Sequence, residues 1–180
     1  MEPFQIERRH LAGEVRAAGR KLAGYAATFG TPADIGPFVE TIRSGAFRTT
    51  LAAGADVLAL VDHDPGRLLA RTKSRTLRLS EDQRGLAYEI DLPTTTLAND
   101  VLALAERGDI GGMSFGFRVV TDHWPDKRTR ELRAVELVEI SVVHSFPAYP
   151  QTTIAARGKA GSSAGPALSP AARRRLVLTL

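Results

Sequence analysis

The chain of 180 residues contains no cysteine. Disulfides, zinc–thiolate centres and a cysteine nucleophile are therefore excluded. Aromatic residues are scarce, at 6%, with one tryptophan and three tyrosines. That is little for a surface that stacks nucleobases, and no basic stretch interleaves with aromatics. No apolar run approaches the ~20 residues of a membrane-spanning helix. The opening "MEPFQIERRH" is charged and lacks the apolar stretch of a signal peptide, which reads as a cytoplasmic protein. Four histidines are scattered with no His-x-x-x-His spacing, so a metal site is disfavoured and no cofactor is expected. Acidic residues are missing from 157–180, which hold five basic ones, so the +4 net charge is concentrated at one end. The remainder is nearly balanced, which argues against a specific nucleic-acid reader.

Hydrophobic residues make up 43% of the chain, enough to bury a real core in one domain. Residues 1–21 read as an arm or first strand and 22–157 as the folded body. Residues 158–180 read as a flexible basic tail, with a Gly/Ser/Ala/Pro linker over 158–170 and a short helix over 170–180. Within the body, "KLAGYAATFG" and "PFVETI" predict strands, and "SGAFRTTLAAG" a short helix with Ser44 as N-cap and Gly54 as its stop. "DVLALV" predicts a buried strand before a turn, "DHDPGR". "LLARTKS", "TLRLSED" and "GLAYEIDLP" predict three more strands, the last two joined by a turn at 82–85. "TTTLANDVLALAERG" has the strongest helical pattern, with Leu97, Val101 and Leu104 or Ala105 on one face and Gly108 at its end. "MSFGFRVV" and "RELRAVELVEISVV" predict strands joined by a charged loop, "TDHWPDKRT". Many short strands with one or two helices imply an α+β, β-rich fold: a mainly antiparallel barrel with helices packed around it.

Three stretches carry candidate chemistry. In "GGMSFGF", strand alternation puts Met113, Phe115 and Phe117 on a core face and Ser114, Gly116 and Arg118 on the other. Gly116 then leaves no side chain beside the hydroxyl, and Gly111 and Gly112 leave its approach open. The same pattern also describes a solvent-facing strand serine. His63, in "VDHD", sits at a strand end, where an imidazole can act as a general base near neutral pH; a surface turn histidine reads the same way. Glu139, in "LVEISVV", is a carboxylate in an otherwise apolar strand. Left unpaired it would cost several kcal/mol, so it needs a partner: either an imidazole or an arginine such as Arg118 or Arg133. Glu136, three residues earlier, is expected on the opposite face. A serine, a histidine and a carboxylate on three segments form an acyl-transfer set if they meet, with backbone N–H groups or Arg118 as oxyanion or substrate contacts. No G-x-S-x-G is present, so the nucleophile elbow of α/β-hydrolases does not apply.

The order "VDHD", "MSFGFRV", "LVEISVV" and "FPAYPQT" resembles the prohead (head-maturation) serine proteases of tailed phages. "GYAATFG", "VETIRSGAFRTTL" and "GLAYEIDLPTTTLANDVLALAERGDIGGMSFGF" match further blocks, and the resemblance covers roughly residues 22–157. It implies a closed β-barrel with surrounding helices, similar to the herpesvirus assembly proteases. It implies a serine endopeptidase inside the procapsid in the host cytoplasm. The substrates would be scaffold, or a scaffold-like segment of the major capsid protein, and the chain itself, through autoproteolysis or as a homodimer. No membrane and no specific nucleic acid are implied as partners. The family's histidine falls on His63, its serine on Ser114 and its acid on Glu139, with His144 as the alternative third member. "VVHSFPAYP" departs from the family pattern, with Ser145 and Tyr149 at the points of difference. A non-catalytic capsid-assembly scaffold protein of the same fold is the competing reading.

Overall fold

The computed structural model describes residues 5–12 and 15–144. In chain order its first half comprises β1 (Glu7–Ala12), β2 (Arg16–Ala18), β3 (Lys21–Thr28), β4 (Ala33–Asp34), β5 (Val39–Ile42), α1 (Arg48–Ala52) and β6 (Leu58–Val61). There follow β7 (Asp64–Arg71), β8 (Leu77–Glu81), β9 (Gly85–Asp91), α2 (Thr96–Arg107), β10 (Gly112–Asp126) and β11 (Thr129–Val143).

Period-two alternation builds the smaller sheet. In β9, Leu86, Tyr88 and Ile90 are buried while Ala87, Glu89 and Asp91 are less so, as expected of a strand with one face on the core. β2, β3, β9 and β8 pair in that order, all antiparallel. The larger sheet runs β1–β10–β11–β5–β4, with β6 and β7 attached to β11. It is mixed. β11 is antiparallel to β10 along its whole length, but on its other edge it runs parallel to β5 at Thr129–Leu132 and to β6 at Glu139–Val142. One hydrophobic cluster joins both sheets and both helices, with Leu22, Leu77, Leu86, Ile90, Phe47, Val101, Phe117 and Ile140 among its most buried members. Neither ladder closes on itself among the described residues, so the β-rich character is present without a hydrogen-bonded closed barrel.

α2 begins where Thr95 accepts the Ala98 N–H at 3.3 Å and ends at Gly108, in the left-handed conformation at φ 77°. Its buried positions are Ala98, Val101 and Ala105, with Leu97 and Leu104 partly covered at the margins of the stripe. α1 is shorter than expected. Its N-cap position is Phe47, with no side-chain cap, so Ser44 does not cap it. Two segments read as connections are instead paired strand. The turn placed over 62–67 shrinks to Asp62 and His63, because Val61 already pairs with Asp64. The charged loop over 121–129 is the outer half of the long β10–β11 hairpin, with Asp126 paired to Thr129. Charged side chains there hid a strand that extends beyond the core. The Pro-rich stretch at 145–152 and the tail at 158–180 lie outside the described residues.

Candidate active site

The site lies on the face of the larger sheet that points away from the aromatic core. Directly opposed residues of an antiparallel pair leave the same face. Met113 opposes Val142 and Phe115 opposes Ile140, and all four belong to the core. Ser114 opposes Ser141 and Gly116 opposes Glu139, so these four share the other face. β1 adds His10 opposite Ser114 and Arg8 opposite Gly116.

His63 reaches this face from the β6–β7 hairpin. β6 runs beside β11 with Val61 level with Val142, which delivers the two-residue turn to the end of β11. Both turn residues have positive φ, 51° for Asp62 and 62° for His63, as the tightest hairpin turns demand. Neither is glycine, and a left-handed conformation costs a non-glycine residue ~1–2 kcal/mol. The turn is held by its contacts. The Asp62 N–H donates to the Val142 carbonyl at 2.9 Å. The Asp62 carboxylate accepts the His144 N–H at 3.0 Å, lies 2.7 Å from His144 Nδ1, and receives Arg67 Nη1 at 2.9 Å. Burial works to raise the Asp62 carboxyl, but His144 and Arg67 outweigh it and hold it below its ordinary range.

The imidazole and the carboxylate meet. His63 Nδ1 is 2.6 Å from Glu139 Oε1, and Glu139 is 5% exposed. Glu139 Oε2 receives the Ser141 hydroxyl at 2.6 Å. With both carboxylate oxygens accepting, the ring proton belongs on Nδ1 and Nε2 is left as an acceptor. Nε2 is buried and has no hydrogen-bond partner among the described residues. Arg8 Nε is 3.9 Å from Glu139 Oε1, and the ring of His10 stands edge-on to that of His63 with centroids 5.6 Å apart. Burial, together with the neighbouring His63, holds the His10 imidazole below its ordinary value against the pull of Glu139.

Ser114 shares this face but does not bond to His63. Its hydroxyl donates to the Arg9 carbonyl of β1 at 2.8 Å, and the residue is fully buried. The open approach expected from the neighbouring glycines is therefore absent, because β1 lies alongside. Gly116 has a different use. A Cβ there would stand 2.5 Å from Glu139 Oε1, so the missing side chain makes room for the carboxylate.

The remaining candidates lie elsewhere. Arg118 is on the same face, and its guanidinium donates to Glu136 through Nη1 at 2.9 Å. Glu136 is not on the opposite face from Glu139. Phe117 opposes Leu137 and Gly116 opposes Glu139, so Val138 is an extra residue, a β-bulge that restores both glutamates to one face. His144, the alternative third member, pairs with Asp62 at the base of the turn, and it is Glu139 that contacts the His63 ring. Ser141, Asp62 and His10 escaped the sequence reading. Ser141 alone had a signal, lying two residues from Glu139 on a strand and so on its face.

The fold is similar to that of the bacteriophage T4 capsid assembly protease, gp21, with a TM-score of 0.56 over 79% of this chain and 97% of that one, at 9% identity. No curated protein matches the sequence. The sequence pattern of the caudovirus prohead serine protease family matches residues 5–164, most of the chain, and on that ground the chain belongs to this family.

Proposed function

We propose that the chain is a serine endopeptidase in which Ser114 is the nucleophile, His63 the general base and Glu139 the residue that orients the imidazole. The observation that carries this reading is the 2.6 Å contact between His63 Nδ1 and Glu139 Oε1, with Nε2 buried and without a partner among the described residues, and with Glu139 opposite Gly116, two residues along β10 from Ser114. In this reading the Ser114 hydroxyl gives up its bond to the Arg9 carbonyl and bonds to Nε2 when the site is at work. Oγ then adds to the scissile carbonyl carbon as its proton passes to Nε2. Collapse of the tetrahedral intermediate breaks the C–N bond, and the imidazolium returns that proton to the leaving amine. Water repeats the sequence on the acyl-enzyme. Glu139 stays ionised throughout and steadies the imidazolium.

The substrate in this reading is scaffold, or the scaffold-like segment of the major capsid protein, inside the procapsid, followed by the chain itself. Family membership supports that assignment, as does the fold shared with a capsid assembly protease. A herpesvirus-protease-like closed barrel remains the architectural reading, with closure made by side-chain packing between the two sheets.

Co-expression with the major capsid protein of the same virus tests the assignment. Wild type is expected to shorten the capsid protein. Ser114→Ala, His63→Ala and Glu139→Gln are each expected to slow cleavage by about 10⁴-fold or more. Full-length capsid protein with wild type and variants alike would favour the non-catalytic scaffold reading.

A further inference from the structure

We propose that Ser141 is a positioning residue for this reaction: its hydroxyl sets the orientation of the Glu139 carboxylate and, through the hairpin backbone, of the His63 ring. The inference rests on the triad reading above and extends it. Ser141 is fully buried and lies directly across the ladder from Ser114. Its hydroxyl donates to Glu139 Oε2 at 2.6 Å and accepts the His63 N–H at 3.2 Å. Glu139 Oε1 in turn holds His63 Nδ1 at 2.6 Å. The three residues thus form a closed loop of contacts, in which one hydroxyl ties the carboxylate to the backbone of the residue whose ring it holds.

Each contact limits a different freedom. A carboxylate bonded at Oε1 alone can still turn about its last torsion, and a bond at Oε2 removes that freedom. His63 sits at φ 62°, a conformation that persists only where its surroundings enforce it, and the bond from its N–H to Ser141 is one such restraint. Among the described residues the other charged neighbour of the carboxylate is Arg8, half exposed and 3.9 Å from Oε1. Ser141 is given no nucleophilic role, since its hydroxyl both donates to Glu139 and accepts the His63 N–H.

The test uses the ¹⁵N-labelled full chain as wild type, Ser141→Ala, Ser141→Thr and Ser141→Cys. The low-field Nδ1–H resonance of His63 is assigned by its loss in His63→Gln. The rate of Ser114 labelling by an alkyl fluorophosphonate, with Ser114→Ala as the blank, and the melting temperature are recorded alongside. Ser141→Ala is expected to stay folded, to broaden the His63 resonance into exchange with water and to label about tenfold more slowly at unchanged probe affinity, the loss of one hydrogen bond to a charged group. Ser141→Thr is expected to restore both signals. Should its extra methyl disturb the buried site, Ser141→Cys, of similar size but a weak donor, is expected to fall between alanine and wild type. A Ser141→Ala protein that keeps the sharp resonance and the wild-type labelling rate overturns the proposal while leaving the triad intact. A wild type labelled at no serine, or at one other than Ser114, sinks the triad reading instead, and the resonance comparison still decides whether Ser141 holds the pair.

Discussion

Gly116 and His63 show how the site depends on single positions. Gly116 has no unusual backbone requirement; its constraint is space, since a Cβ would overlap the Glu139 carboxylate. Gly116→Ala is therefore expected to fold, because the clash is with the end of a side chain, but to push the carboxylate away from His63. A displacement of ~1 Å is enough to cost ~10²-fold in rate, so turnover of the capsid substrate should fall by about that factor at nearly unchanged melting temperature. Wild-type turnover in Gly116→Ala would show that the carboxylate position is not critical. His63 carries the opposite kind of constraint. Its left-handed backbone is held by the neighbouring Asp62, whose carboxylate gathers the His144 N–H, the His144 ring and Arg67.

At the scale of the element, β11 organises the molecule. It pairs with three strands, and the bulge at Val138 lets Leu137 and Ile140 both reach the core while Glu139 stays on the site face. Between its contacts with β5 and β6 its outer edge has no strand partner among the described residues. α1 and the turn before it fill that gap. The Val135 N–H donates to the Ala46 carbonyl at 2.9 Å. Thr50, 5% exposed, donates its hydroxyl to the Val135 carbonyl at 2.9 Å and accepts the Leu137 N–H at 3.0 Å. A side chain thus imitates the missing strand. Thr50→Val keeps the volume but strands two buried backbone groups, each worth ~1–3 kcal/mol when unsatisfied. Denaturant titration should show a loss of about 2 kcal/mol or more. An unchanged midpoint would mean that water satisfies that edge.

Across the whole molecule, β1, β5, β10 and β11 are joined by a buried charge network on the core side of the site. Arg130 bonds Glu7, Glu40 and Asp122 at 2.8–3.1 Å, and Arg9 bonds Glu40 and Glu7. Glu40 is 2% exposed and lies between the two guanidiniums. Its removal leaves Glu7 and Asp122 as the partners of those charges, so Glu40→Ala should lower stability by ~1–3 kcal/mol in chemical denaturation. The network also predicts an acid limit. Burial raises the Glu7 carboxyl, but Arg130 and Arg9 outweigh it and hold it below its unfolded value of 4.5. A depressed folded value adds stability above pH 4.5, and that stability is lost as pH falls further, through the folded value. Melting temperature should therefore drop steeply below that pH in wild type and less steeply in Glu7→Gln. Parallel curves for the two proteins would remove Glu7 from the account.

The sequence by itself determined the elements whose signal is local. Alternation in "GLAYEID", the Thr95 cap and Gly108 stop of α2, and the apolar "LALV" before His63 each follow from side chains acting on their own backbone. It also supplied the three residues of the candidate triad: Glu139 as a carboxylate in an apolar strand, and Ser114 and His63 through the order of blocks that resembles the prohead proteases. Only the tertiary structure decided their relations. The bulge at Val138, the β11 edge completed by Thr50 and the room that Gly116 leaves for Glu139 all depend on which strands lie side by side, and pairing is a contact between residues far apart in the chain. The charged outer hairpin was read as a loop for the same reason. A strand held by its neighbour's backbone hydrogen bonds needs no apolar pattern of its own, and those bonds are drawn from groups that every residue carries alike.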